Sequence, residues 1–210
     1  MYKRQNYPYA QPVLAYGLDG SMHPFARDFL NWTQGASAQR AIKAHGFAST
    51  ALQRMKIQDM GVAVVHNAAV EPDFDGNEFS AMMAELRAAD RLSITFRFRP
   101  GSATLDDESA QNIERLAERL RQNEFDNQEV LLVGFADSIG PSDRNSVLAK
   151  RRADTVRDIL AANFDGNAAQ QIKALSFGEQ MPLDCNDTDA GRANNRRVEV
   201  WVRVPTQGQS

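Results

Sequence analysis

From Leu92 onward the sequence predicts an α+β fold, with a mixed sheet in the order β-α-β-α-β-β and its helices packed on one face. Three observations carry this. "LSITFRF" (92–98) alternates strictly between apolar and polar residues, the pattern of a half-buried strand. "EVLLVGF" (129–135) is almost continuously apolar, as a central strand is. After each of these comes a long helical pattern, long enough to serve as a crossover between strands that point the same way.

In order, the first strand puts Leu92, Ile94, Phe96 and Phe98 on one face and Ser93, Thr95 and Arg97 on the other. "RPGSATL" is a loop, and "DDESAQNIERLAERLRQN" is a helix. Its acids Asp106, Asp107 and Glu108 sit at the positive end of the helix dipole, and Ile113, Leu116, Ala117 and Leu120 form its apolar stripe. "RNSVLAKRRADTVRDILAANF" follows the central strand as the second long helix. "IKALSFG" is a third strand, and "RRVEVWVRV" a fourth, with Val198, Val200, Val202 and Val204 facing inward. "PTQGQS" reads as a frayed tail.

Upstream the signals are weaker. "PVLAYGL" is a strand pattern, "PFARDFLNWTQ" a helix opened by Ser21 and Pro24 with Phe25, Phe29, Leu30 and Trp32 on its apolar face, and "SAQRAIKAHGF" a helix capped by Ser37 and stopped at Gly46. Residues 51–90 read as a connector holding an apolar run, a Pro/Asp/Gly/Asn turn cluster and the short helix "SAMMAELRAAD". The expected division is therefore 1–50, 51–90 and 91–205.

The 210 residues are 42% hydrophobic and 24% charged with a formal net charge of −3, which gives no basic excess for nucleic acid or an anionic membrane surface. A single cysteine, Cys185, rules out an internal disulfide. No apolar run reaches the ~18 residues of a membrane helix. The start "MYKRQNYPYAQP" lacks the apolar core of a secretory signal. "MYKRQ" is also what a GTG start read through a common transposon end (GTG-TAT-AAG-AGA-CAG) would encode. The expectation is a truncated fragment whose first five residues are not natural.

Enzyme chemistry finds little footing. His23, His45 and His66 lack metal-ligand spacing, Cys185 has no base beside it, and the acids at 106–108 are explained by the helix dipole. No cofactor is implied.

The informative stretch is "GFADSIGPSDRNSVLAKRRA" (134–153). On a wheel of about 100° per residue, Leu148, Ala149, Ala153, Val156, Ile159 and Leu160 share one stripe of the second long helix. Arg152 and Asn145 fall inside that stripe, while Lys150, Arg151, Asp154, Arg157 and Asp158 lie outside it. A cation facing the sheet needs an anion, and Asp137 lies just past the central strand. Two readings follow. Either Asp137 and Arg152 pair and hold the loop, or they flank a pocket at the carboxyl end of the sheet. In the second, Arg152 offers its fork to a carboxylate and Asp137 takes an ammonium, so the ligand is a zwitterion.

"GFADSIG…N..LAKRRA..V" resembles the "GHTD..G…N..LS..RA..V" signature of OmpA-like C-terminal domains, as do "FRPGSATL", "SFGEQMP" and the closing "GRANNRRVEV". The resemblance runs from about Leu92 to Val204. It implies non-covalent binding of peptidoglycan through the diaminopimelate residue of the stem peptide, by a protein of the periplasm and outer-membrane envelope. It assigns the ligand's ammonium to Asp137 and its carboxylate to Arg152, and matches Asn145 and Arg196 to further motif positions. Departures stand at Phe135, Ala136 and Ala149, where the signature has His, Thr and Ser. Phe135 is expected to line the pocket. The missing hydroxyl at Ala136 would cost about 0.5–1.5 kcal/mol if it met ligand. Residues 7–50 resemble the last segment of a periplasmic phosphate-type solute-binding protein, which implies a partial binding lobe and, as an alternative function, oxyanion capture for transport.

Overall fold

The computed structural model describes residues 22–47, 52–60, 69, 74–162 and 171–205. The expected strand at 12–18, the apolar run from Gly61, His66 and the tail past Pro205 lie outside them. The chain divides into two units, Met1–Gln53 and Arg54–Ser210.

In the first unit, α1 spans Pro24–Gln34 and α2 spans Ala36–Ala44. His23 caps α1, its Nδ1 accepting from the Phe25 N–H at 3.2 Å. The cap of α2 is Gly35, with no side-chain hydrogen bond, so the expected cap Ser37 sits inside the helix instead. Gly46, at φ +83°, ends that segment, a backbone that glycine adopts without strain. Phe25, Phe29 and Trp32 are exposed on α1.

The second unit holds β1 (Arg54–Lys56), a 3-10 turn (Ile57–Met60), α3 (Gly76–Leu86), β2 (Asp90–Arg97), α4 (Asp107–Arg121), β3 (Glu129–Phe135), α5 (Ser142–Ala161), β4 (Ile172–Ser176), α6 (Asp189–Asn195) and β5 (Arg197–Arg203). Side-chain caps start three of these helices. Asp75 accepts from the Asn77 and Glu78 N–H groups, Asp106 from Ser109, and Thr188 from Gly191.

Among the described residues, five strands form one sheet in the order β1-β2-β5-β3-β4. β5 runs antiparallel to both β2 and β3, and β4 is parallel to β3. β2, β3 and β4 therefore point the same way, as the crossover helices require. β2 and β3 are not neighbours, however, because the last strand inserts between them. β1, from the stretch read as a connector, adds an antiparallel edge beside β2.

The long helices α4 and α5 pack on the sheet through Ile113, Leu116 and Ala117 and through Ala149, Ala153, Val156 and Leu160. Ile159, expected in the α5 stripe, is 38% exposed, so the buried face turns toward Arg152 and Asn145. α3 covers the other face of the sheet. Its Met82 and Leu86 join Leu131, Val133, Phe135 and Trp201 in one buried cluster with Phe177 and Met181. This explains why β5 is buried on both sides. Val198, Val200 and Val202 are inward as expected, Arg197, Glu199 and Trp201 are equally covered, and Val204 is exposed past the strand's end.

With both faces covered, the charges on β5 must be paired. Arg197 Nε donates to Glu199 Oε1 at 2.8 Å, Arg91 Nε lies 3.0 Å from Glu199 Oε2, and Trp201 Nε1 donates to that same oxygen at 3.1 Å. Burial pushes the Glu199 pKa up, but the Arg91 and Arg197 charges and the hydrogen bonds from Arg197 and Trp201 outweigh it and hold the group below its ordinary value. No helix among the described residues is long and apolar enough to cross a membrane.

Candidate ligand-binding site

The site lies where β3 ends, α5 begins and β5 starts. Gly134 sets the approach of α5 to β3, since a Cβ built there would stand 2.1 Å from the Ala149 carbonyl oxygen. No side chain fits that gap. The neighbouring loop is stitched to β3 by the Ala136 N–H, which donates to the Gly178 carbonyl at 2.8 Å, and by Phe177 N–H donating to Gly134. β5 opposes β3 with Phe135 facing Arg197 in register. The preceding residue, Arg196, caps the C-terminus of α6 and so stands beside the loop that carries Asp137.

Asn145, in the first turn of α5, fixes that loop. Its Nδ2 lies 3.1 Å from the Asp137 carbonyl, 3.0 Å from the Ile139 carbonyl and 2.7 Å from Glu179 Oε1. One buried amide thus grips the backbone on both sides of Ser138. Asp137 itself is mostly buried. Its Oδ1 accepts from the Ile139 N–H at 3.3 Å, and its Oδ2 accepts from Arg196 Nη1 at 2.6 Å.

Arg152 follows Asn145 by seven residues, so it shares the same face of α5, and it is fully buried. Its Nε donates to the Ser102 carbonyl at 2.9 Å, and its guanidinium carbon lies 5.4 Å from the centre of the Phe98 ring. Among the described residues, Nη1 and Nη2 have no hydrogen-bond partner. Burial pushes the Arg152 pKa down to about 10, Asp137 opposes that fall, and the Arg196 charge adds to it.

The structure therefore brings Asp137, Asn145, Arg152 and Arg196 together. The closed Asp137–Arg152 pair is not formed, because the hydrogen-bonded partner of Asp137 is Arg196. Phe135 does not line the site. Its side chain shares the strand face of Leu131 and Val133, packs in the α3-side cluster, and lies under the Arg197 guanidinium at 4.3 Å. It is one residue out of phase with Gly134, which meets α5.

Sequence reasoning did not single out Ser102, Phe98 or Glu179. Phe98 fell in the apolar alternation, and Glu179 lay inside "SFGEQMP" with no local feature to mark it as buried. Ser102 acts through its backbone carbonyl, which no side-chain pattern reveals.

Comparison with known proteins bears on the same residues. The family model described as "OmpA family" matches residues 97–196. The peptidoglycan-associated lipoprotein of Pseudomonas putida is 32% identical over 136 residues, covering 63% of this chain and 79% of that protein. The chain belongs to the OmpA family. All four clustered residues fall inside the matched OmpA segment. Outer membrane porin F of Pseudomonas fluorescens is 38% identical over 117 residues, 56% of this chain and 35% of that protein, so the chain spans about a third of such an OmpA-family relative. Among solved structures, the peptidoglycan-associated lipoprotein of Burkholderia pseudomallei aligns with a TM-score of 0.47 at 26% identity, over 52% of this chain and 90% of that one. These findings lend no support to the resemblance of residues 7–50 to a solute-binding protein.

Proposed function

We propose that this OmpA-family unit binds peptidoglycan non-covalently by gripping the free ammonium and carboxylate of a diaminopimelate residue, and so anchors an envelope protein to the cell wall. The observation that carries the reading is Arg152. Its buried guanidinium keeps two terminal nitrogens without a hydrogen-bond partner among the described residues, beside an acid held by other elements. An unpaired buried cation is costly, and a carboxylate approaching Nη1 and Nη2 would satisfy both nitrogens with two parallel hydrogen bonds. Asp137 would take the ammonium. Asn145 would act through the backbone it holds, and Phe135 would support the strand from the opposite face without touching ligand. In this reading the site is a receptor and performs no catalysis.

Relatives named peptidoglycan-associated lipoproteins, such as those of Pseudomonas putida and Legionella pneumophila, support the choice of partner and of the cell envelope as location. The test is co-sedimentation of the protein with purified diaminopimelate-type peptidoglycan. Wild type should pellet with the wall, and Asp137→Ala and Arg152→Ala should stay in the supernatant. Walls with lysine at that position lack the side-chain carboxylate and should retain little protein. Pelleting of both variants at the wild-type level would defeat the assignment.

A further inference from the structure

Asp137 is not waiting empty. Arg196 Nη1 sits 2.6 Å from its Oδ2, and the two side chains are only 13% and 12% exposed. The other carboxylate oxygen faces the Ile139 N–H inside the loop. An incoming ammonium therefore meets an acid already engaged on one oxygen by a guanidinium and on the other by the backbone.

An ammonium arriving at Asp137 would join two guanidinium groups, those of Arg152 and Arg196, in the same mostly buried space. Arg196 is also poorly held where it is. Its Nε is buried without a hydrogen-bond partner among the described residues, and it faces Arg152 as a like charge.

We propose that Arg196 is an internal stand-in for the ligand: its guanidinium occupies the ammonium's place on Asp137 in the free protein and is displaced when the wall residue binds. The inference rests on the reading of Asp137 as the ammonium receptor. It makes Arg196 a competitor that sets the affinity and release of the wall, opposite in sign to a residue that helps hold ligand. The contact keeps Asp137 satisfied and folded in place while the site is free, and its loss on binding offsets part of the affinity.

The experiment uses the full chain and the soluble tripeptide L-Ala-γ-D-Glu-meso-diaminopimelate, titrated by calorimetry. Arg196→Gln keeps a hydrogen-bond donor near Asp137 but removes the charge, and should bind the tripeptide about 3- to 10-fold more tightly than wild type, the range that loss of one partly buried competing ion pair allows. Unchanged or weaker binding by a folded Arg196→Gln variant overturns the proposal. A second readout needs no substitution. In wild type the buried Arg196 Nε–H should exchange slowly with solvent in NMR spectra and become fast-exchanging at saturating tripeptide, and continued protection there also overturns it. Asp137→Asn separates the two levels of the argument. Loss of binding in that variant without a gain in Arg196→Gln defeats the stand-in alone. Undiminished binding by Asp137→Asn, or no binding by wild type, defeats the site reading and the stand-in with it.

Discussion

Replacing Arg152 by methionine should make the protein more stable and unable to bind peptidoglycan. The side chain is fully buried, and burial pulls its pKa down to about 10, which corresponds to a destabilisation of the charged form of about 3 kcal/mol. Against this, the substitution loses the Nε hydrogen bond to the Ser102 carbonyl, about 1 kcal/mol, and the contact with Phe98, about 0.5–1 kcal/mol. The net gain is about 1 kcal/mol, which raises Tm by about 2–4 °C for a unit of this size. Urea unfolding followed by circular dichroism measures it directly, as a shift in midpoint at constant slope.

The same experiment has an internal check in pH. Because the folded pKa is depressed for a cation, the unfolded state binds more protons from about pH 10 up to the ordinary arginine value, so wild-type stability rises with pH across that window. The cost is fully present below about pH 10, and the advantage of Arg152→Met should shrink above it. A loss of 1 kcal/mol or more in the methionine variant at pH 7 would refute the reasoning. It would mean that Arg152 is a structural cation with a partner and not a receptor held open.

Two further substitutions probe the frame of the site. Gly134→Ala places a methyl group 2.1 Å from the Ala149 carbonyl oxygen. It should cost about 1–3 kcal/mol by overpacking and, by pushing α5 and Arg152 off β3, weaken wall co-sedimentation. An unchanged melting temperature would show that α5 docks differently. Glu199→Gln leaves Arg91 and Arg197 buried without the carboxylate that both of them pair with and should cost about 3–5 kcal/mol. Since Glu199 titrates below its ordinary 4.5 in the folded protein, its contribution is present above that value and lost as pH falls below it. Wild type should therefore lose stability more steeply on acidification than Glu199→Gln, and parallel acid profiles would count against the buried pair.

The parts of this molecule that were legible in advance are those set by local period. The wheel placed Arg152 and Asn145 on the buried side of α5, and both are there. It also admitted Ile159, because a stripe drawn from apolar residues alone drifts away from a face that is centred on an arginine. The partner of Asp137 was not legible. Asp137 and Arg196 are 59 residues apart, and their contact depends on β5 inserting beside β3, which no local pattern dictates. The alternation of "RRVEVWVRV" predicted one solvated face. That face is covered by α3, a helix visible in the sequence whose docking surface was not, so the polar-looking residues Arg197 and Glu199 became a buried pair. Phe135 was misplaced by a single step of strand parity. Gly134 marks the face toward α5, and its neighbour must then point the other way.

The geometry explains why an acid and a base so close in sequence do not cancel each other. Each is held by a different part of the fold before they could meet. Asp137 is tied by the Ile139 amide, by Arg196 at the start of β5, and through its carbonyl by Asn145. Arg152 is tied by the Ser102 carbonyl from the loop after β2 and lies against Phe98. Gly134 packs α5 tightly against β3 between these two sets of ties. Each hydrogen bond is individually modest, about 1 kcal/mol, but they act on separate elements and must yield together. A core packed on both faces of the sheet supplies the rigidity that makes this constraint effective, and its consequence is a guanidinium whose Nη1 and Nη2 have no hydrogen-bond partner among the described residues.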